Sequence, residues 1–191
     1  MRIRLRPKYD DEELAAIYDQ MYDHVKWDEH RTRVAWTVRR LNLFITFQRP
    51  PIERVVDLSC GDGAILNGIH GPMEKEYGDL VAANHLTMPN RLAEESVKLV
   101  TGDLLICSET LEHLDDPDSF LHDAAKHFKY IAITTPLGET DVDDNWEHYW
   151  GWDLMGVNQM LRQTGWYPLV EETLPLDYYT YQFWIARSEQ C

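Results

Sequence analysis

The sequence predicts an α/β chain built on a mostly parallel sheet, and three observations predict it. Arg54-Val55-Val56-Asp57-Leu58 is a short β-branched run that ends in a glycine turn, and Ala64 to His70 can follow it as a helix. Strand, glycine turn and helix in that order signal a βαβ unit. Two further runs, Asp103 to Ser108 and Tyr130 to Thr135, are almost continuously apolar, as central parallel strands covered on both faces are. Finally, the tail holds two alternating segments, around 166–174 and 178–187. They fit an antiparallel hairpin that closes the sheet at its edge.

The other elements follow from spacing and punctuation. Asp10 and Asp11 offer a cap, and Leu14, Ile17, Tyr18, Met21, Tyr22 and Val25 recur at threes and fours, predicting a helix over 10–26. A second helix over 28–47 stops at Arg49-Pro50-Pro51. A weaker strand lies near Glu74 to Val81, and helices fit Pro89 to Val100, Asp118 to Phe128 and Asp153 to Thr164. The stretch 137–150 is polar and aromatic and reads as a loop. Residues 1–50 read as a helical lid on a core formed by 51–191, one domain overall.

Composition narrows the function. The chain has 191 residues and a formal net charge of −15, which repels a phosphate backbone unless a local basic patch overrides it. Such a patch is confined to Arg2, Arg4, Arg6, Lys8, Arg31, Arg33, Arg39 and Arg40. Cys60, Cys107 and Cys191 form neither a zinc-type pair nor a disulfide framework. The basic start lacks the apolar core of a signal peptide, and no run approaches the roughly 18–20 apolar residues of a membrane span. The expectation is a cytoplasmic protein with no membrane partner, either a monomer or a homodimer.

The turn Asp57-Leu58-Ser59-Cys60-Gly61-Asp62-Gly63 carries the first chemical signal. Small residues let the backbone approach a ligand closely. The third glycine of a dinucleotide-binding turn is missing, and the turn is acidic. It suits a ligand with an ammonium and a sulfonium better than a phosphate, so a nicotinamide dinucleotide is disfavoured.

This motif resembles the first motif of the class I S-adenosylmethionine-dependent methyltransferases. Asp103 to Pro117, which holds Ser108-Glu109-Thr110-Leu111-Glu112-His113-Leu114, is similar to the family's fourth-strand motif, Ile131 to Pro136 to its fifth strand, and His148-Tyr149-Trp150-Gly151-Trp152 before a helix and Gly165-Trp166 to its late segment; ubiquinone-pathway O-methyltransferases are among the members it resembles. The resemblance covers roughly 54–167. It implies a Rossmann-like doubly wound fold and adenosylmethionine as cofactor. It also implies that Asp57, Leu58, Ser59, Cys60, Gly61 and Gly63 cradle the methionine part, with Asp57 near its ammonium. Asp79 (Glu76 as the alternate) and Leu80 would hold the ribose, and Ser108 and Glu109 would lie beside the methyl group. The family usually fits a helix and a complete third strand between its second and fourth strands. Residues 80–102 are short for that, so the adenine contacts are sought at Leu86, Thr87 and Met88.

Glu109, Glu112 and His113 form an E-x-x-E-H pattern that can converge at helical spacing, with His148 as a fourth group. Two carboxylates and imidazoles suit a divalent metal, and the pattern resembles the metal site of small-RNA 2′-O-methyltransferases. His113 can instead serve as a general base, with Glu109 and His148 at the reacting centre, or these groups can simply cap and line the pocket. The aromatic residues Tyr18, Tyr22, His24, Trp27, His30, Trp146, Tyr149, Trp150 and Trp152 offer walls for an acceptor; in the late loop they are mixed with Asp141, Asp143, Asp144 and Glu147. A small-molecule acceptor, methylated at oxygen or nitrogen, is the leading expectation. A nucleic acid or protein acceptor, or a cofactor-binding module without catalysis, are the rivals.

Overall fold

A computed structural model describes residues 1–23, 26–141 and 145–190. His24, Val25, Asp143, Asp144 and Cys191, which entered the sequence reading, lie outside the described residues. The chain starts with a three-residue strand, β1 (Arg2–Arg4). Helix α1 (Asp11–Ile17) follows, capped by Asp10, whose side chain accepts from the Glu12 and Glu13 amides. It ends at Ile17 with Tyr18 as its C-cap, short of the predicted 10–26, and the Tyr18 hydroxyl meets His113. Helix α2 (Asp28–Phe47) matches its prediction and buries Arg33, Val34, Thr37 and Leu41.

The core elements are β2 (Arg54–Asp57), α3 (Ala64–Gly68), β3 (Glu74–Tyr77), a short α4 (Ala93–Ser96) and β4 (Gly102–Ser108). Helix α5 (Pro117–His127) has proline in its first turn and Asp116 accepting from the Ser119 amide at its cap, an arrangement that suits a helix start. It leads into β5 (Phe128–Pro136). Strand β6 (Trp150–Trp152), helix α6 (Leu154–Gln163) and strands β7 (Trp166–Pro175) and β8 (Thr180–Ser188) complete the chain. The predicted helix over 89–100 is thus reduced to four residues, and the end of the predicted loop 137–150 runs into β6.

The main sheet has six strands in the order β3-β2-β4-β5-β8-β7. The first four are parallel and β8 pairs antiparallel with both β5 and β7, as the hairpin pattern predicted. Among the described residues no strand lies outside β3, so the short stretch after Asp79 supplies no further parallel strand there. Alternate strand residues face opposite layers: Val56, Leu105, Ile131, Ile133 and Trp184 pack with α5 and α6, while Val55, Leu104, Ile106, Phe183 and Ile185 pack with α2 and α3. This two-sided burial is why those strands read as unbroken apolar runs.

A second, two-stranded sheet pairs β1 with β6, Ile3 opposite Gly151. The guanidinium groups of Arg2 and Arg4 stack 4.0 and 4.6 Å from the Trp150 ring. Arg2 also pairs with Asp118, and Arg4 donates to Asp115. The basic start of the chain is therefore used inside the molecule. Among the described residues no helix is long and apolar enough to cross a membrane.

Gly151 holds this clasp against the core. A Cβ there would lie 2.1 Å from the Glu139 carbonyl oxygen. Gly151→Ala should cost about 1–3 kcal/mol through overpacking, read as a lower urea midpoint; an unchanged midpoint would show that the clasp shifts freely.

Candidate functional site

The parallel strands β2, β4 and β5 end together at Asp57, Ser108 and Pro136, and open α/β sheets bind ligands outside their carboxyl ends. After β2 the backbone enters the left-handed region at Gly61 (φ 53°) and Gly63 (φ 76°), which glycine adopts without a Cβ penalty. The turn is pinned from β3: Gly61 N–H donates to Asp79 Oδ2 at 2.8 Å, and Val81 N–H donates to Asp79 Oδ1 at 3.0 Å. Asp57 lies beneath the turn and accepts from the Ser59 amide at 3.1 Å. Burial pushes its carboxyl up to about 7, with the Asp79 charge adding to the rise and the Ser59 amide opposing it.

Above the turn is a cavity of about 700 Å³. Of the predicted cofactor residues, Leu58, Ser59, Gly61, Asp79, Leu80, Ser108 and Glu109 line it. Asp57, Cys60 and Gly63 are buried and do not line it. Met88 is not on the wall; its amide and that of Thr87 donate to the Tyr77 carbonyl, and its side chain packs on the core. Glu76 forms an ion pair with Arg54, so of the two candidate acids after β2 it is Asp79 that lines the cavity.

Arg33, read from the sequence as part of a basic surface, is instead 1% exposed. It reaches from α2 to the tip of β4, where one guanidinium nitrogen donates to Ser108 Oγ at 2.9 Å. Glu109 Oε1 is 3.9 Å away. Arg33 Nε and Glu109 Oε1 are both buried without a hydrogen-bond partner among the described residues. Glu109 itself has φ 52°, a strained region for a residue with a side chain, and its amide donates to the Thr134 carbonyl.

The E-x-x-E-H segment folds as a single 3-10 turn at Leu111–His113. Ligand atoms of Glu112, His113 and His148 lie within 4.8 Å of one another. Glu109 is not among them: its left-handed backbone breaks the helical register and its carboxylate turns to Arg33. Glu112 is fully buried, accepts from Thr135 Oγ1 at 3.1 Å, and its Oε1 has no hydrogen-bond partner among the described residues. Burial, then the Glu109 charge, raises its carboxyl, with His148 opposing. His113 Nδ1 lies 3.2 Å from the Glu147 carbonyl and 3.3 Å from the Tyr18 hydroxyl. Burial and then the neighbouring His148 push its imidazole down to about 3. His148 is raised: burial lowers it, but the carboxylates of Glu139 and Glu112 outweigh that effect. Glu139, which no spacing rule singled out, sits 2.7 and 2.9 Å from His148 Nδ1.

The aromatic residues divide. Tyr18, Tyr22, Trp146 and Tyr149 line the cavity with Tyr179 and Tyr181 from the hairpin. Trp152 is core, and Trp150 is held between Arg2, Arg4 and the Leu114 carbonyl. Trp27 is exposed.

Comparison with known proteins agrees with this architecture. Residues 27–173 match the family described as methyltransferase domain. The chain belongs to that family, and its fold is that of the class I adenosylmethionine-dependent methyltransferases. It is similar to the 1,6-didemethyltoxoflavin-N1-methyltransferase of Burkholderia thailandensis, solved with 1,6-didemethyltoxoflavin and S-adenosylhomocysteine, at 14% identity and TM-score 0.64 over 96% of this chain and 92% of that one. It is also similar to magnesium protoporphyrin IX methyltransferase from Synechocystis PCC 6803 with bound S-adenosylhomocysteine, at 14% identity and TM-score 0.66 over 93% of each chain. The cyclase SpnF shares the fold at 12% identity and TM-score 0.58, over 97% and 98% of the two chains. A search of curated protein sequences gives no match.

The Asp57 carboxyl makes a pH prediction. It titrates near 3.8 when unfolded and near 7 when folded. Its contribution to stability is full below 3.8 and is lost as pH rises to about 7, because over that window the folded state holds the extra proton. Asp57→Asn should therefore flatten the decline of the denaturation midpoint between acidic and alkaline buffer. A decline as steep as that of the wild type would show that Asp57 is ionised in the folded chain throughout.

Proposed function

We propose that the protein methylates an oxygen or nitrogen of a small molecule bound in the cavity above the glycine turn. One observation carries this reading: the cavity is roofed by the chain's own N-terminal segment. The arginines that would otherwise attract a polyanion are spent on that roof. Arg2 and Arg4 pair with Asp118 and Asp115, and Arg6 donates to the Trp146 carbonyl. The remaining surface of a chain with net charge −15 repels nucleic acid. The small acceptors named for the Burkholderia and Synechocystis enzymes support the same class.

The residues present fit adenosylmethionine. Glycines in left-handed conformation allow close approach, Asp79 offers a carboxylate at the cavity, and Arg33 has a buried donor without a partner. Ser59 and Gly61 would hold the methionine part, Arg33 its carboxylate, and Asp79 and Leu80 the ribose side. When bound, this group supplies an electrophilic methyl on a positively charged sulfur. The chain's part is positioning: Ser108 and Glu109 fix the tip of β4, while Tyr18 and Tyr149 wall out water. Alignment of this kind supplies much of the rate in bimolecular transfers.

Glu112, His113 and His148 fit a divalent cation. Glu112 offers an unpartnered buried oxygen, and both imidazoles use Nδ1 elsewhere, so Nε2 is left for the cluster. A cation there would supply Lewis-acid character to an acceptor hydroxyl.

Calorimetry tests the cofactor half: S-adenosylhomocysteine should bind, and Arg33→Ala should weaken it about tenfold or more, roughly 1.4 kcal/mol. Equal affinity in the variant would remove Arg33 from the site. Transfer of labelled methyl to a pool of small hydroxylated and aminated compounds tests the acceptor. Turnover confined to RNA or protein would overturn the reading. For the cation, Glu112→Gln and chelation should each lower turnover about tenfold or more; chelated enzyme at full activity would dismiss it.

A further inference from the structure

Glu139 and His148 form a buried pair that the fold builds with care. The two side chains are 5% and 6% exposed, and both Glu139 oxygens lie within hydrogen-bond distance of the same nitrogen, His148 Nδ1. The backbone leading into Glu139 is tied down. Leu137 N–H donates to the Thr180 carbonyl at the start of β8, Gly138 N–H donates to the Trp152 carbonyl of β6, and the Glu139 carbonyl is pressed against Gly151. The position of this carboxylate is thus set by two strands rather than by a loose loop.

Burying such a pair is a poor way to gain stability. The desolvation of two charged groups consumes most of their attraction, and an apolar pair of similar size would hold the fold as well. What the pair does accomplish is orientation. With Nδ1 committed to Glu139, the ring has Nε2 left to present, and the His148 ring packs edge-on against the His113 ring at 4.8 Å between centroids. Glu112 completes the cluster, and its carbonyl accepts from the amide of Tyr149, the residue after His148. A carboxylate behind an imidazole is the usual device that fixes the tautomer and direction of a metal-binding or proton-moving histidine.

We infer that Glu139 is the positioning residue of this site: it holds the His148 proton on Nδ1 and aims Nε2 at Glu112 and His113. The inference rests on the proposed cation site for its consequence, but not for its geometry. It makes Glu139 part of the acceptor-activating machinery without contact to acceptor or cofactor.

Two readouts test it. Long-range proton–nitrogen spectra of imidazole-labelled protein in alkaline buffer, with the His148 signal assigned by its loss in His148→Gln, should show His148 protonated on Nδ1. In Glu139→Gln the population should shift toward the Nε2-protonated form. Mn²⁺ affinity measured by calorimetry should fall about tenfold to a hundredfold in the same variant, with S-adenosylhomocysteine affinity unchanged. A wild-type ring protonated on Nε2 overturns the inference, and so does a variant with the wild-type tautomer and wild-type Mn²⁺ affinity. If the wild-type protein binds no Mn²⁺, the cation reading falls, and the tautomer of wild-type His148 decides Glu139 by itself. That measurement needs no variant of Glu139 to fold.

Discussion

The hydrogen bond from the Gly61 amide to Asp79 joins the glycine turn after β2 to the loop after β3. Everything at the site is hung from this junction. With the Cys60 amide donating to the Gly78 carbonyl, it fixes a left-handed turn, and it places Asp79 at the cavity while Asp57 stays beneath the turn. A second tie, between Ser59 Oγ and Thr110 Oγ1 at 2.6 Å, carries the same rigidity across to the end of β4. The glycine turn and the end of β4 are therefore tied to one another. The Asp79 carboxylate gives the turn a negative field, which favours a cationic ligand and disfavours a phosphate.

The roof is made differently. It comes from the N-terminal segment, clasped through β1 to β6 and through Tyr9 to the Trp146 carbonyl. Its contacts are cation–aromatic stacks, exposed ion pairs and a few hydrogen bonds rather than a large apolar core. Each is worth little individually. The molecule thus combines a rigid floor, built from parallel strands, with a roof of modest strength.

The elements that were legible in the sequence are those whose residues serve one physical purpose. Strands β2, β4 and β5 are buried on both faces, so their composition alone exposes them, and Gly61 and Gly63 mark the turn because few other residues take positive φ. The clasp was not legible, since three-residue strands rich in arginine and tryptophan carry no period. Helix α1 was overextended because the spacing of threes and fours continues through Met21 and Tyr22, while the backbone had already turned at Tyr18. The E-x-x-E-H pattern was read at helical spacing, but its segment is one tight turn preceded by a left-handed residue. Three of the four expected groups meet, and Glu109 goes to Arg33. Arg33 and Glu139 were missed for a common reason. Their partners lie far along the chain or across a loop, at separations to which no local rule applies.

Strand β8 sits between β5 and β7. Until residues 180–188 arrive, β5 presents an open, apolar edge at the centre of the future sheet, and an unpaired edge of that kind templates association with other chains. Closing it requires a contact across some fifty residues of sequence, which slows folding. The hairpin that completes the cavity wall with Tyr179 and Tyr181 is therefore also what shields the nascent sheet from aggregation.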